Sequence, residues 1–189
     1  MKVSLFLISL TFNLFILPVA SATSVLPLTL EQLSTRASLI FYAQVISNEV
    51  KKDDESGHIA TITEFEIIDL IKGSAGERHT IKQIGGHHKA SNTRLLIQGV
   101  PTFQTGKQYV VFLPEKSSLG FSSPLGLYQG SFSVTIINNE PVISSGRNLS
   151  LQPQTSHNDI QLPLAVRAEN PTQSRLEDFL NTVRAYNTP

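Results

Sequence analysis

Apolar residues recur along this chain in several distinct rhythms, and each predicts a different element. The first is unbroken: VSLFLISLTFNLFILPV, from Val3 to Val19, follows a positive charge at Lys2. Pro18 ends any helix there, and Ala20-Ser21-Ala22 supplies the small-x-small pattern that signal peptidase reads. Residues 1–22 are therefore predicted to be a signal peptide cleaved after Ala22, with Ala20 and Ala22 as the recognition residues. An uncleaved anchor is the weaker reading, because an apolar run of roughly 17 residues is near the lower limit for a bilayer span.

A helical rhythm follows in LTLEQLSTRASL. Leu30, Leu33 and Ala37 share one face, and Thr29 with Gln32 fits a capping box. LIFYAQVISNEV, rich in β-branched and aromatic residues, predicts a long strand to about Val50. After the charged turn KKDDESGH comes IATITEFEIIDLIKG, whose alternation puts Thr61, Thr63, Phe65 and Ile67 on one face. The alternation slips at Ile67-Ile68, which a bulge or burial on both faces explains. Further strands are predicted at Arg78–Gly86, Arg94–Gly99, Tyr109–Pro114 and Leu127–Ile137. YVVFL has the continuous apolar character of a central strand, and Asn138-Asn139 suits a tight hairpin turn before EPVIS. From Ser144 to Pro171 the chain is polar, proline-punctuated and without period. At the end, Leu176, Phe179, Leu180 and Val183 return to helical spacing behind a Ser174/Glu177 capping pattern.

The expected architecture is mainly β: a small OB-type barrel with a short N-terminal helix and an amphipathic C-terminal helix. The expected organisation is a signal peptide over 1–22, a β-barrel domain over 23–143, a polar extended arm over 144–173 and a C-terminal helix over 174–189, packed on the barrel.

Composition narrows the function. Removing 22 of 189 residues leaves 167, one domain's worth. The chain has no cysteine, so a disulfide framework, a thiol nucleophile and a cysteine-based zinc site are excluded. Loss of Lys2 leaves 14 basic against 15 acidic residues, with no basic block to attract nucleic acid or an anionic membrane. No second apolar run is long enough to span a bilayer, so no membrane span is expected after processing.

The order LIFYAQV, TITEFEIIDLIKG, TIKQIGG, GVPTFQTGKQYVVFLP, GLYQGSFSV resembles a group of uncharacterised bacterial exported β-barrel proteins, some associated with secreted metalloprotease architectures. The matching pieces are Lys72-Gly73, Gly85-Gly86, the Gly99–Pro101 turn, Phe103, Gly106 and the YVVFL strand, within residues 38 to 136. The strand pattern is also similar to the netrin-like module of tissue metalloprotease inhibitors. That resemblance implies a five-stranded OB-type barrel and a protein-binding role. Those inhibitors chelate the protease zinc through an N-terminal cysteine, whereas this chain has none and its expected mature terminus is Thr23.

Catalytic motifs are absent: there is no GxSxG, HExxH, SxxK or Walker loop. His58, His79, His87 and His88 are the metal candidates, but no carboxylate stands at ligand spacing near the adjacent pair His87-His88, and no metal or other cofactor is expected. Glu64 and Glu66 share a strand face roughly 7 Å apart, and alternation with Thr63 and Phe65 makes that face solvent-exposed rather than catalytic. The aromatics sit inside apolar strands, not on a basic groove, which argues against single-stranded nucleic acid.

The expectation is an exported binding module, periplasmic or extracellular, whose partner is another exported or envelope protein, possible classes including a protease. A small secreted hydrolase with a scattered site and a purely structural envelope component are the alternatives. Oligomeric state is not encoded in any pattern read here. The candidate binding residues are His87, His88, Pro101 and Phe103, in a segment from Gly85 to Gln104 that breaks the strand pattern. Mass spectrometry of the exported protein is expected to give a chain beginning at Thr23. An intact Met1 in a membrane fraction would overturn the processing.

Overall fold

The computed structural model describes residues 26–145 and 173–188. The predicted signal peptide, including Ala20 and Ala22, and most of the predicted polar arm lie outside the described residues. Strands hold 46% and helices 18% of what is described, which places the protein in the mainly β class, with a helix at each end.

The first helix, α1 (Leu30–Arg36), starts where the sequence predicts. Thr29 Oγ1 accepts the Gln32 N–H at 3.1 Å and Gln32 Oε1 accepts the Thr29 N–H at 3.1 Å, a reciprocal capping box. Glu31 in the first turn and Arg36 in the last complement the helix dipole. Lys72 then ties the end of this helix to the sheet, its ammonium donating to the Ser34 carbonyl at 2.8 Å and that of Thr35 at 3.1 Å.

The strands are β1 (Leu39–Lys52), β2 (Ile59–Lys72), β3 (Arg78–Ile84), β4 (Gly86–His88), β5 (Thr93–Leu95), β6 (Gln108–Leu113), β7 (Ser131–Ile137), β8 (Glu140–Ser145) and β9 (Gln173–Arg175). Seven form one antiparallel sheet in the order β3-β2-β1-β6-β7-β8-β9, while β4 and β5 pair separately. β6 stands at the middle of that order, as its unbroken apolar run predicts.

Alternation along β1 and β6 divides the core between the two sheet faces. Ile40, Val110, Phe112, Phe132, Val134 and Ile143 face the helices, where they meet Leu33 and Ala37 of α1. The C-terminal helix α2 (Leu176–Ala185) adds Leu176, Phe179, Leu180 and Val183 to the same cluster. The opposite face carries Phe41, Ala43, Val45, Phe65, Ile81, Tyr109, Val111 and Leu113. An edge-on series of rings runs through it: Phe41 to Phe65 at 5.4 Å, Phe65 to Phe103 at 5.0 Å and Phe103 to Tyr109 at 5.0 Å between centroids.

The slip at Ile67-Ile68 is a bulge. Tyr42 pairs with Asp69 and Ala43 with Ile67, so Ile68 has no partner on β1. Ile71 and Ile46 are skipped in the same way. Each extra residue bends the strand and increases its twist, which lets the two 14-residue strands curl over the second core face.

This curvature does not close the sheet. β3 and β9 are its two edges and no pairing joins them among the described residues. A loop meets β3 instead, the Ser122 N–H donating to the Lys82 carbonyl at 2.9 Å. The closed barrel expected from the strand pattern is thus an open, strongly bent sheet.

Three local expectations also change. Leu127–Gly130 is a 3-10 turn, not the start of β7, because Gly126 and Leu127 both take left-handed conformations, φ 59° and 64°. Within the predicted strand Arg94–Gly99, pairing extends only through Leu95. Ser174 does not cap α2: it pairs with Ile143 in β9, and Arg175 is the N-cap, with no side-chain capping bond. Strand pairing has claimed the residue that the capping pattern offered.

Phe112 is fully buried, with its ring 5.5 Å from Phe132 and 6.4 Å from Phe179. Phe112→Ala is expected to cost about 3–5 kcal/mol in chemical denaturation, as aromatic core truncations do. A loss below about 1 kcal/mol would show that β6 is not central.

Candidate functional site

The segment singled out in the sequence leaves the main sheet at Gly85 and Gly86. Both have positive φ, 103° and 134°, and a Cβ on Gly86 would lie 2.6 Å from Thr61 Oγ1 and 2.7 Å from Val50 Cγ1. Only glycine allows this kink against β1 and β2. The chain then forms a small hairpin, pairing Gly86 with Leu95, His87 with Arg94 and His88 with Thr93, around a 3-10 turn at Lys89–Ser91 and a left-handed Asn92. Thr61 Oγ1 donates to the Gly85 carbonyl at 2.7 Å and pins the base of the hairpin to β2.

His87 is exposed and His88 half-buried, with Nδ1 2.7 Å from Ser91 Oγ. As adjacent residues of a strand they belong to opposite faces. Among the described residues no group of three or more histidine and carboxylate side chains could hold a metal ion. Leu96 and Ile97, just past β5, are 73% and 39% exposed. From Arg78 to Pro114 the sequence contains no aspartate or glutamate, so Lys89 and Arg94 give the hairpin a positive charge.

Pro101 and Phe103 occupy a different place. Both are buried. The Pro101 carbonyl accepts from Gln83 Nε2 at 3.4 Å and that of Phe103 from Asn48 Nδ2 at 2.9 Å, while the Phe103 ring stands between Phe65 and Tyr109. They anchor the returning chain beneath the sheet and present no side-chain surface to a partner. The structure places His87 and His88 on the hairpin strand whose partner runs into Leu96 and Ile97, and buries Pro101 and Phe103.

A second feature escaped the sequence reading. Where β1 begins, β6 ends and the 114–122 loop crosses β3, a cavity of about 210 Å³ is lined by Ser38, Leu39, Ser74, His79, Leu113, Pro114, Glu115, Lys116 and Ser122. The His79 ring packs 5.6 Å from Phe41. Its burial, and then the nearby Lys116 charge, lower its pKa below the ordinary histidine value. His79 Nε2 and Ser122 Oγ are both buried and, among the described residues, neither has a hydrogen-bond partner. His79 shares the inward alternation of β3 with Ile81 and Gln83. That position was the available signal for it, whereas Ser122 sits in an aperiodic loop and gave none.

The loop is held by Lys82, whose ammonium lies 4.5 Å over the Phe121 ring and 2.9 Å from Asp53 Oδ1. Asp53 Oδ2 accepts from Ser56 Oγ at 2.6 Å and from the Ser56 N–H at 3.0 Å. Asp53, one of the charges of the KKDDESGH turn, is the acceptor that organises that hairpin tip. The Glu64 carboxylate behaves as expected of an exposed face and meets Arg78 Nη1 at 3.3 Å.

No protein-family model matches the chain and no curated protein is similar to it.

The Ser56 and Lys82 hydrogen bonds push the Asp53 carboxyl down to about 2 from an ordinary 3.8. Its folded pKa lies below the unfolded one, so its contribution is complete above about pH 4 and is lost as pH falls towards 2. Urea midpoints measured from pH 5 to pH 1.5 are expected to decline through that window. In Asp53→Asn the part of the decline due to this group should be missing, and an unchanged profile would remove Asp53 from the acid response.

Proposed function

We propose that the protein is an exported binding module that docks another exported or envelope protein through the β4–β5 hairpin. The observation that carries this reading is the pair Leu96-Ile97, apolar side chains held out in solvent on a hairpin whose base is fixed against β1 and β2. Exposed apolar residues on a loop carried by a rigid scaffold are a common form of recognition surface. Lys89 and Arg94, with no carboxylate among residues 78–114, suit a partner whose apolar patch is bordered by acidic groups. His87 is exposed on the same hairpin.

The resemblance in sequence pattern to netrin-like modules makes an exported protease one class of partner to test. Export rests on the predicted signal peptide. No helix among the described residues is long and apolar enough to cross a membrane.

A photo-crosslinking residue at Leu96, used in the native envelope fraction, is expected to trap one partner in a discrete adduct. His87→Ala with His88→Ala should weaken capture without altering thermal unfolding, and charge reversal at Lys89 and Arg94 should abolish it. Undiminished capture by both variants would remove the hairpin from the interface.

A further inference from the structure

The β4–β5 hairpin leaves one strand edge without a partner. β4 has β5 on one side, and its Gly86 stands against Val50 and Thr61 of the main sheet. β5 pairs with β4 alone, and among the described residues no backbone hydrogen bond from outside the hairpin reaches residues 93–96. The Leu95 carbonyl is turned towards β4, 2.8 Å from where a Cβ on Gly85 would stand. Across the trans peptide bond the Leu96 N–H therefore points the other way. Alternation along the strand turns the N–H and carbonyl of Arg94 outward as well. Thr93, Arg94 and Leu96 are all exposed.

Resting on the reading of this hairpin as the docking surface, we propose that the partner binds by adding an extended acidic segment to β5 as a third strand. Its main chain pairs with the outward peptide groups of Arg94 and Leu96, as in other cases of strand addition to a sheet edge. Its apolar residues lie against Leu96 and Ile97, and its carboxylates against Lys89 and Arg94.

Charge selects this occupant. No carboxylate accompanies Lys89 and Arg94 among residues 78–114. The adjoining end of β1 adds Lys51 and Lys52. Of the acids there, Glu49 lies 3.9 Å from Lys51, and Asp53 and Glu55 are drawn to Lys82, which leaves Asp54 outside these pairs. A second copy of the chain is a poor occupant, because antiparallel pairing about Arg94 would set that residue directly opposite its twin. A basic segment meets the same repulsion.

The outward N–H of Arg94 offers a substitution that separates strand addition from side-chain contact. Arg94→Pro deletes that donor and leaves the β4–β5 hydrogen bonds in place, since proline is accepted on an edge strand whose N–H faces solvent. Arg94→Gln removes the charge alone.

Amide hydrogen exchange of the purified exported protein, read by NMR with a short synthetic peptide alternating valine and glutamate, tests the proposal. The peptide is expected to bind saturably and to protect the Arg94 and Leu96 amides, which are open in the free protein. A matched valine–lysine peptide should not bind. Arg94→Pro should bind the acidic peptide about ten-fold more weakly than Arg94→Gln, the loss of one backbone hydrogen bond. The acidic peptide N-methylated at alternate residues should lose binding to the unaltered protein. No saturable binding, equal binding of the lysine or N-methylated peptide, unprotected Arg94 and Leu96 amides in the bound state, or equal affinity of the two variants would overturn strand addition. A dimer of the free protein with these amides already protected would overturn it too, by giving the edge to a second copy. Partner capture at Leu96 that survives Arg94→Pro undiminished would remove the added strand and still leave the hairpin as the docking surface.

Discussion

The pairing of β1 with β6 is the constraint on which the rest of the molecule depends. Six consecutive residues from Leu39 to Gln44 pair with Leu113 to Gln108, and burial on both faces makes this the axis of two cores at once. A register error of one residue would exchange Ile40 with Phe41 and Val110 with Val111, sending every side chain to the wrong face. The helices depend on one side of that pairing and the ring series on the other. With no disulfide available, this packing carries the fold.

The same alternation explains what was legible from the chain. YVVFL reads as a central strand because it lacks polar interruption, and the slip at Ile67-Ile68 reads as either a bulge or burial on both faces, of which the pairing shows the bulge. Asn138 and Asn139 take the positive φ values, 50° and 66°, that a tight hairpin asks for. Such features are local, set by neighbours a few residues away.

What was not legible depends on distant partners. Ser174 looks like a cap until β8 is present to pair with it. Phe103 looks like an exposed loop residue because Pro101 and Gly106 frame it as a turn, yet Phe65 and Tyr109 draw its ring beneath the sheet. Closure of the sheet depends on which element reaches β3 first, and no periodicity records that. The cavity is harder still to read, since Ser38, His79 and the loop that carries Lys116 and Ser122 come from separate parts of the chain. Only the kink at Gly85-Gly86, a pair of adjacent glycines, announced the hairpin in the sequence.

The crossing of the 114–122 loop over β3 has a consequence for the life of the protein in a crowded compartment. An uncovered strand edge is a template for pairing with another chain. Here the guard over that edge is fastened by Lys82, which holds Phe121 and the Asp53 turn together. The loop that walls the cavity is therefore also the molecule's protection against strand-to-strand association at β3. Conditions that release the lysine clamp would uncover this border and offer it to a neighbouring chain.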